Sequence, residues 1–318
     1  WGIPVPIEGA EGKVLYVWFD APIGYISASK QWAQENGKNW ESYWKGSSVE
    51  LVHFIGKDNI VFHCIVFPAM LKAHGDFALP KNVPANQFLN LEGRKFSKSK
   101  GWVIEQHQYL KDFESFHNKE DALRYALIRT LPENKDGDFK WDEFVALHDN
   151  ELVANLGNFV NRVTSLTHKN FAAKVPAYTA AAKLKDIEEG AVVTVAAAMQ
   201  QLKHKIEHLE ASITKYEFKQ AVQLLMEISS YGNTLLQRNE PWKIWKQDPE
   251  SVEAAALLNL SLQIVTALSV LSQPFLPFSS AQMRNLLAVD PVKDGSLAQL
   301  KIQLEQAGVL IEEGHQIE

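Results

Sequence analysis

A cluster of cationic and hydroxyl side chains lies between Arg94 and Gly101, where the sequence reads RKFSKSKG. Four cations fall within seven residues, two serines stand among them, and no acid interrupts the run. Ammonium groups and hydroxyls stabilise negative charge as it develops, so this combination suits a pyrophosphate leaving group. A solvated basic loop or a patch that contacts nucleic acid has the same composition. The residues alone leave these interpretations open.

The elements before this loop are predicted to alternate between strands and helices. Segments 13–19 and 50–55 are apolar and β-rich, which predicts two strands. Helices are predicted over 25–36 and 59–73, and the second of them must accommodate Pro68. Such alternation is typical of a parallel α/β sheet, in which ligands bind at the carboxyl ends of the strands.

Two stretches with chemical potential follow the predicted strands. The first, WFDAPIGY, runs from Trp18 to Tyr25, and the second, GKDNIVFH, contains Asp58 and ends at His63. Asp58 stands at a predicted helix start, so its carboxylate either caps backbone N–H groups or accepts a hydrogen bond from a substrate ammonium group. The aromatic residues here, including Phe67, are either core side chains or pocket walls, and aromatic walls suit a flexible thioether.

The second half of the chain is predicted to be a bundle of amphipathic helices. Apolar residues recur at three- and four-residue spacing in segments 152–166, 192–213, 219–237 and 252–271. Asn158 and Arg162 form a polar stripe beside the first apolar stripe, and Trp242 follows Pro241 at a break between helices. Such residues are usual on a solvated helix surface or at the end of a bundle, and they also suit an RNA site.

Composition restricts the class of protein. The chain has 318 residues, of which 46% are hydrophobic and 22% charged, and it is long enough for two globular domains. One cysteine excludes an internal disulfide framework and leaves too few thiolates for a structural zinc site. No uninterrupted apolar run predicts a membrane span. The net charge is −6 and neither half is basic, so any RNA contact must come from a local surface.

Three stretches carry a resemblance to a known family. YVWFDAPIGY at 16–25 and FIGKD at 54–58 resemble the methionine-pocket elements of methionyl-tRNA synthetases. The basic loop resembles the KMSKS loop of class I aminoacyl-tRNA synthetases, with Phe96 in place of the usual methionine. The resemblance implies an α/β part followed by an all-α part, namely the second half of a Rossmann-type parallel sheet and then a helical anticodon-binding bundle. The implied boundaries are 1–93 for the catalytic part, 94–148 for the KMSKS loop and stem-contact region, and 149–318 for the anticodon-binding domain.

The same resemblance implies roles for individual residues. Methionine would be bound by Trp18, Ala21, Pro22, Tyr25, Asp58, His63 and Phe67, the last of which stands where the family often has tryptophan. ATP would be bound by Lys95, Ser97, Lys98 and Ser99, and the first three of these would be catalytic. The anticodon would be bound by Asn158, Arg162, Pro241 and Trp242.

The implied reaction is the ATP-dependent activation of methionine and its transfer to tRNA(Met) in the cytoplasm, with Mg²⁺ accompanying ATP and no membrane partner. The family's HIGH motif and its zinc-binding insertion do not occur in the sequence. The chain is therefore expected to be a piece of a longer enzyme, to hold no metal itself and to be inactive alone. Dimerisation through a C-terminal extension is left open. The alternatives are a non-catalytic tRNA-binding protein derived from a class I synthetase and another class I synthetase for an apolar amino acid.

Overall fold

A computed structural model describes residues 2–289 and 297–318, and the chain divides into two compact units. Unit 1 comprises Trp1–Phe88 and Pro132–Gly137, and unit 2 comprises Leu89–Leu131 and Asp138–Glu318. Each unit has a hydrophobic core of its own.

Unit 1 combines short parallel strands with helices. Its helices are α1 (Val17–Asp20), α2 (Ile23–Glu35) and α3 (Phe67–His74), with 3-10 turns at Trp40–Tyr43 and Lys57–Asn59 and a π-helical turn at Phe62–Val66. Its strands are β1 (Leu51–Val52), β2 (Ile55–Gly56), β3 (Pro80–Asn82) and β4 (Ala85–Asn86). Strand β1 pairs with β3 and β2 pairs with β4, both in parallel. The predicted parallel α/β character is confirmed.

The predicted strand over 13–19 is wrong. Residues Val17–Asp20 form a helical turn, and the only pairing in this segment of the described structure is an isolated bridge between Pro4 and Val14. The composition of the apolar run favours a strand only where the side chains can pack on a sheet, because strand propensity reflects that packing. Here Tyr16 and Val17 are 66% and 61% exposed, so that packing is absent in unit 1.

Two other predictions for unit 1 need correction in detail. The predicted strand 50–55 is split into β1 and β2, which pair with different partners. The predicted helix 59–73 is interrupted by the π-helical turn, and α3 begins only at Phe67. Pro68 lies in the first turn of α3, where the missing N–H of proline costs no intrahelical hydrogen bond.

Unit 2 begins with a small sheet and three helices. The strands are β5 (Leu89–Leu91), β6 (Arg94–Lys95) and β7 (Gly137–Phe139, whose first residue belongs to unit 1), in the order β6–β5–β7. The helices are α4 (Gln106–Asp112), α5 (Lys119–Arg129) and α6 (Trp141–Leu147). Segment 136–141 is mostly polar, and its sequence indicates a connection between helices, yet residues Gly137–Phe139 form strand β7. Phe139 of β7 is buried in the same core cluster as Leu91 of β5 and Phe144 of α6.

The remainder of unit 2 confirms the predicted helical bundle. A π-helical segment, His148–Gly157, leads directly into α7 (Asn158–Phe171), which is followed by β8 (Lys183–Lys185), β9 (Val192–Thr194), α8 (Val195–Thr214), α9 (Phe218–Asn239), α10 (Pro241–Gln247), α11 (Val252–Leu271), α12 (Pro277–Leu286) and α13 (Leu297–Gln306). The helix predicted over 192–213 starts later, because its first three residues form β9. The Thr194 hydroxyl then accepts from the Ala197 N–H and caps α8.

Helix α11 passes through the core of the bundle. By length and composition alone it could cross a membrane, yet 94% of its apolar window is buried inside the protein. Helices α7, α8, α9 and α12 all contact it. A helix that is apolar on every side is stable in water only when other elements surround it. Its hydropathy therefore reflects its place in the core.

The packing of α9 against α7 supplies a stability prediction. A Cβ atom on Gly232 would lie 2.2 Å from Cζ of Phe159, whose side chain is fully buried. We expect Gly232→Ala to lower the free energy of unfolding by about 1–3 kcal/mol, because overpacking forces neighbouring side chains out of their rotamers. Chemical denaturation would measure the change. Gly24→Ala is the matched control: Gly24 is also helical, nothing lies within 4 Å of its Cβ position, and alanine should stabilise that helix.

Candidate functional site

Three of the residues predicted to contact methionine form one cluster of rings in unit 1. Tyr25 projects from α2, His63 from the π-helical turn, and Phe67 from the start of α3. The ring centroid of Tyr25 lies 5.8 Å from that of His63 and 6.2 Å from that of Phe67. Phe67 is 1% exposed and packs with Trp44, so it is a core side chain as well as a member of the cluster.

Hydrogen bonds fix the orientation of two of these rings. The His63 Nδ1 lies 2.9 Å from the Asn59 carbonyl oxygen, and His63 Nε2 lies 2.9 Å from the Tyr25 hydroxyl. A carbonyl oxygen can only accept, so Nδ1 carries a proton, and in the neutral imidazole Nε2 then accepts from the Tyr25 O–H. Tyr25 and His63 therefore form a rigid pair.

His53 belongs to the same cluster, although the sequence did not point to it. It lies between β1 and β2, is 8% exposed, and its ring centroid is 5.2 Å from that of His63. Its Nε2 atom is buried without a hydrogen-bond partner in the described structure. Burial, and to a smaller extent the neighbouring His63, lower the pKa of His53, so its imidazole is neutral at pH 7. A lone histidine in an apolar run carries no signal that separates this position from an ordinary core site.

The remaining pocket candidates from the first stretch lie on α1 and at the start of α2. The Trp18 ring stacks on Phe62 at 5.1 Å between centroids, and Phe62 directly precedes His63 in the π-helical turn. Pro22 is buried and forms the N-cap of α2, while Ala21 is exposed beside it. The Trp18 ring and the Tyr25 ring therefore both contact the π-helical turn, through Phe62 and His63 respectively.

Asp58 is exposed in the 3-10 turn Lys57–Asn59, whose N-cap is Gly56, and its carboxylate accepts no hydrogen bond from a residue that the structure describes. The helix-cap interpretation is therefore wrong. A Cβ atom on Gly56 would lie 2.7 Å from the Asp58 Oδ1, so a larger residue at position 56 would push the carboxylate aside. Lys57 pairs with Asp136 at 2.5 Å, whereas Asp58 has no ion-pair partner among residues 2–289 and 297–318. Its charge is available to a cation from outside the chain.

The basic loop of unit 2 follows a tight hairpin formed by β5 and β6. The turn residues Glu92 and Gly93 both have positive φ, at 49° and 73°. Two such residues in succession are typical of the turns whose twist matches that of the strands. The Gly93 N–H donates to both carboxylate oxygens of Asp138, at 2.8 and 2.9 Å, and thereby ties the turn to β7.

Trp102 closes the loop. Ser97 and Trp102 exchange two backbone hydrogen bonds of 2.9 and 3.0 Å, and the Trp102 indole N–H donates to the Leu91 carbonyl at 2.9 Å. The Arg94 guanidinium lies 5.0 Å from the centre of the Trp102 ring. Residues Lys98–Lys100 form a 3-10 turn between these fixed ends. Sequence reasoning missed Trp102, although it stands immediately after the basic run.

The cations of the loop face solvent. Lys95, Lys98 and Lys100 are exposed, and none of them forms an ion pair in the part of the chain that the structure describes. The Ser97 and Ser99 hydroxyls lie 3.3 Å apart. Unpaired ammonium groups beside hydroxyl donors form a site at which an anion binds favourably.

The bundle brings together two of the residues predicted to bind the anticodon. The Arg162 guanidinium of α7 lies 5.0 Å from the centre of the Trp242 ring of α10, a distance at which a cation and an aromatic face attract. An Arg162 N–H also donates to Gln237 Oε1 at 3.4 Å, and burial lowers the pKa of the guanidinium. Asn158 is exposed one helical turn before Arg162, and Pro241 is buried in the first turn of α10. A planar aromatic face and a guanidinium donor thus lie together on unit 2, and the Asn158 amide stands one helical turn away along α7.

Models of two protein families match the chain. A family described as tRNA synthetases class I (M) matches residues 1–164, and a family described as the anticodon binding domain of methionyl tRNA ligase matches residues 179–317. The methionine–tRNA ligase of Christiangramia forsetii is 50% identical over 318 residues, which cover 100% of this chain and 44% of that protein. That of Flavobacterium psychrophilum is 52% identical over 290 residues, which cover 91% of this chain and 40% of that protein.

A solved structure shows the same fold. The methionyl-tRNA synthetase of Mycobacterium tuberculosis in complex with methionyl-adenylate superposes with a TM-score of 0.78 at 24% identity, and the match covers 100% of this chain and 57% of that one. The chain thus spans less than half the length of the two relatives named above. The predicted family and fold class are confirmed. The chain belongs to the methionyl family of class I tRNA synthetases, of which it comprises a portion.

Proposed function

We propose that the chain is part of a methionine–tRNA ligase, which activates methionine with ATP to methionyl-adenylate and transfers it to tRNA(Met). The observation that carries the proposal is the order of the two family matches, a class I (M) part over 1–164 and an anticodon-binding part over 179–317. The related structure with methionyl-adenylate supports methionine and ATP as the substrates. The cytoplasm, where tRNA is charged, is the proposed location.

The proposed methionine site lies in unit 1. It comprises Trp18, Ala21, Pro22, Tyr25, Asp58, His63 and Phe67. The Tyr25–His63 pair forms a rigid aromatic wall for the thioether, and Asp58 accepts hydrogen bonds from the substrate ammonium group. His53 backs this wall from within the core.

The proposed ATP site is the loop of unit 2. Lys95 and Lys98 bind the phosphates, Ser97 and Ser99 supply hydroxyl donors, and the charge that develops on pyrophosphate is stabilised there. Mg²⁺ would accompany the phosphates of ATP. No group of three or more His, Cys, Asp or Glu side chains within 2–289 and 297–318 is arranged to hold a metal ion.

The boundaries of the three predicted parts of the chain, after residues 93 and 148, stay a prediction.

The experiment uses a chimeric synthetase in which this chain replaces the matching residues of the Christiangramia forsetii ligase. We expect the chimera to catalyse methionine-dependent pyrophosphate exchange and to charge tRNA(Met). The 318-residue chain alone is expected to do neither, since its sequence lacks a HIGH motif. A folded chimera that binds tRNA but forms no adenylate would instead support the non-catalytic tRNA-binding protein.

The anticodon role of Trp242 supplies a prediction for the second half. RNA loops are recognised by stacking splayed bases on aromatic faces, and loss of one stack costs about 1–3 kcal/mol. We expect Trp242→Ala to lower kcat/KM of the chimera for tRNA(Met) by roughly 5- to 150-fold while pyrophosphate exchange persists. Trp242→Phe is the control, because it retains a stacking face. Normal charging by Trp242→Ala, or a Tm lowered by several degrees, would contradict the anticodon role.

A further inference from the structure

A β-hairpin that the sequence did not predict lies beside the proposed anticodon site. Strands β8 and β9 pair in antiparallel fashion, with Lys183 opposite Thr194 and Lys185 opposite Val192. Leu184 is buried against the bundle, and successive side chains of a strand point to opposite faces. Lys183 and Lys185 therefore share the outer face of the hairpin, where both are exposed.

The Asn239 side chain attaches this hairpin to the helix that precedes Trp242. Asn239, the last residue of α9, accepts from the Lys185 N–H at 2.8 Å and donates to the Lys185 carbonyl at 2.9 Å. It also donates to the Leu235 carbonyl of its own helix at 2.9 Å. The outer face of β8 is therefore held in a fixed position relative to the start of α10.

A groove with a cavity volume of about 440 Å³ lies between the hairpin and the first turn of α10. Its walls include Lys183, Lys185 and Val192 on one side and Lys243 and Ile244 on the other. Pockets that bind small molecules and cofactors usually measure about 300–1,000 Å³, so the groove is large enough for one nucleotide.

The charges of the groove favour an anion. Two carboxylates, Glu240 and Glu253, also line it, but Glu240 pairs with Lys243 at 2.7 Å. Lys183 and Lys185 form no ion pair in the described parts of the chain, so the ammonium groups outnumber the unpaired carboxylate. The groove therefore has a local excess of positive charge, although the net charge of the chain is −6.

The groove also offers apolar surface beside its cations. Val192 is 64% exposed on the outer face of the hairpin, and Ile244 lies across the groove from it. A nucleotide combines an anionic phosphate with a base whose faces are apolar. Trp242 immediately precedes Lys243 on α10, so the proposed stacking face and the groove lie on the same short helix.

We propose that the groove between the β8–β9 hairpin and α10 binds a nucleotide of the anticodon loop next to the base on Trp242. Lys183 and Lys185 contact its phosphate, and Val192 and Ile244 contact its base or ribose. The proposal rests on the proposed tRNA-binding function and adds a second contact to it.

The test measures the affinity of the 318-residue chain for a tRNA(Met) transcript by fluorescence anisotropy between about 50 and about 200 mM salt. We expect Lys183→Ala and Lys185→Ala each to weaken binding several-fold and to reduce the slope of log Kd against log salt by about 0.7, since each removes a phosphate contact. Lys183→Arg should retain the slope. Lys215→Ala is the matched control, because this exposed lysine lies near the opposite end of α9, about 30 Å away.

Each outcome separates the inference from the function on which it rests. If Trp242→Ala weakens binding while the Lys183 and Lys185 variants keep the original salt slope, the groove assignment is wrong and the anticodon role stands. If none of the three substitutions changes binding, both are wrong. An equal loss in Lys215→Ala would mark a non-specific effect of charge and overturn the groove assignment. Far-UV circular dichroism checks that every variant remains folded; Lys183 and Lys185 are exposed on the hairpin, so their replacement should leave the fold intact.

Discussion

In the chimeric synthetase, replacement of Lys98 by alanine is expected to lower the rate of methionyl-adenylate formation by roughly 100- to 1,000-fold. Lys98 lies in the 3-10 turn of the basic loop, is exposed and has no ion-pair partner within the described residues. Its ammonium group can therefore stabilise charge that develops only as pyrophosphate leaves. Loss of one such preorganised donor costs about 2.7–4 kcal/mol in comparable sites.

Pre-steady-state measurement of adenylate formation at saturating methionine would test this prediction. The apparent Kd for methionine should stay within a factor of two or so of the original, because the interaction belongs to the transition state. Lys100→Ala is the matched control: Lys100 ends the same turn and is equally exposed, but it is not among the predicted catalytic residues. An unchanged rate in Lys98→Ala, or the same loss in both variants, would assign the loop to a general electrostatic role.

The second large effect is expected at the methionine site. Asp58→Asn should raise the Kd of the chimera for methionine by roughly 10- to 150-fold, since a hydrogen bond to a charged group is worth about 1.5–3 kcal/mol. The carboxylate has no partner among the described residues and caps no helix, so its loss leaves nothing unsatisfied within the protein. We therefore expect the Tm and the affinity for tRNA to remain unchanged.

Isothermal titration with methionine would measure this change, and Glu8→Gln is the control. Glu8 is an exposed acid of unit 1 that lies outside the ring cluster, so its neutralisation tests for a general effect of charge. If Asp58→Asn lowers the Tm and keeps its affinity for methionine, Asp58 has a structural role and does not bind the substrate. If both variants lose affinity for methionine, the assignment of Asp58 to the proposed methionine site is wrong.

Much of the fold was accessible from the sequence because the signals were local. Segment 252–271 was predicted as a helix from the spacing of its apolar residues, and α11 has these bounds. The first apolar stripe of the bundle also lies where the spacing placed it, with Leu156, Phe159 and Val163 buried in one core cluster. The family could likewise be identified from WFDAPIGY, FIGKD and the basic loop, since short motifs with unusual composition seldom occur together by chance.

Other features depended on contacts that no local pattern reports. Segment 13–19 has the composition of a strand, but a strand needs a partner, and in unit 1 Tyr16 and Val17 lie on the surface. His53 joins the ring cluster only because β1 and β2 bring it beside His63, and Trp102 closes the basic loop only through its bonds to Ser97 and Leu91.

The sequence by itself therefore determined the family, the helical bundle and the residue types of the candidate sites. Only the tertiary structure decided which of those residues are in contact. The Arg162 guanidinium, for example, lies 5.0 Å from the centre of the Trp242 ring, although the two residues are 80 positions apart in the sequence. The tertiary structure also decided that Asn239 holds the β8–β9 hairpin beside α10. The physical reason is that periodicity and capping act over a few residues, whereas pockets and grooves form from side chains that are distant in sequence and adjacent only after packing.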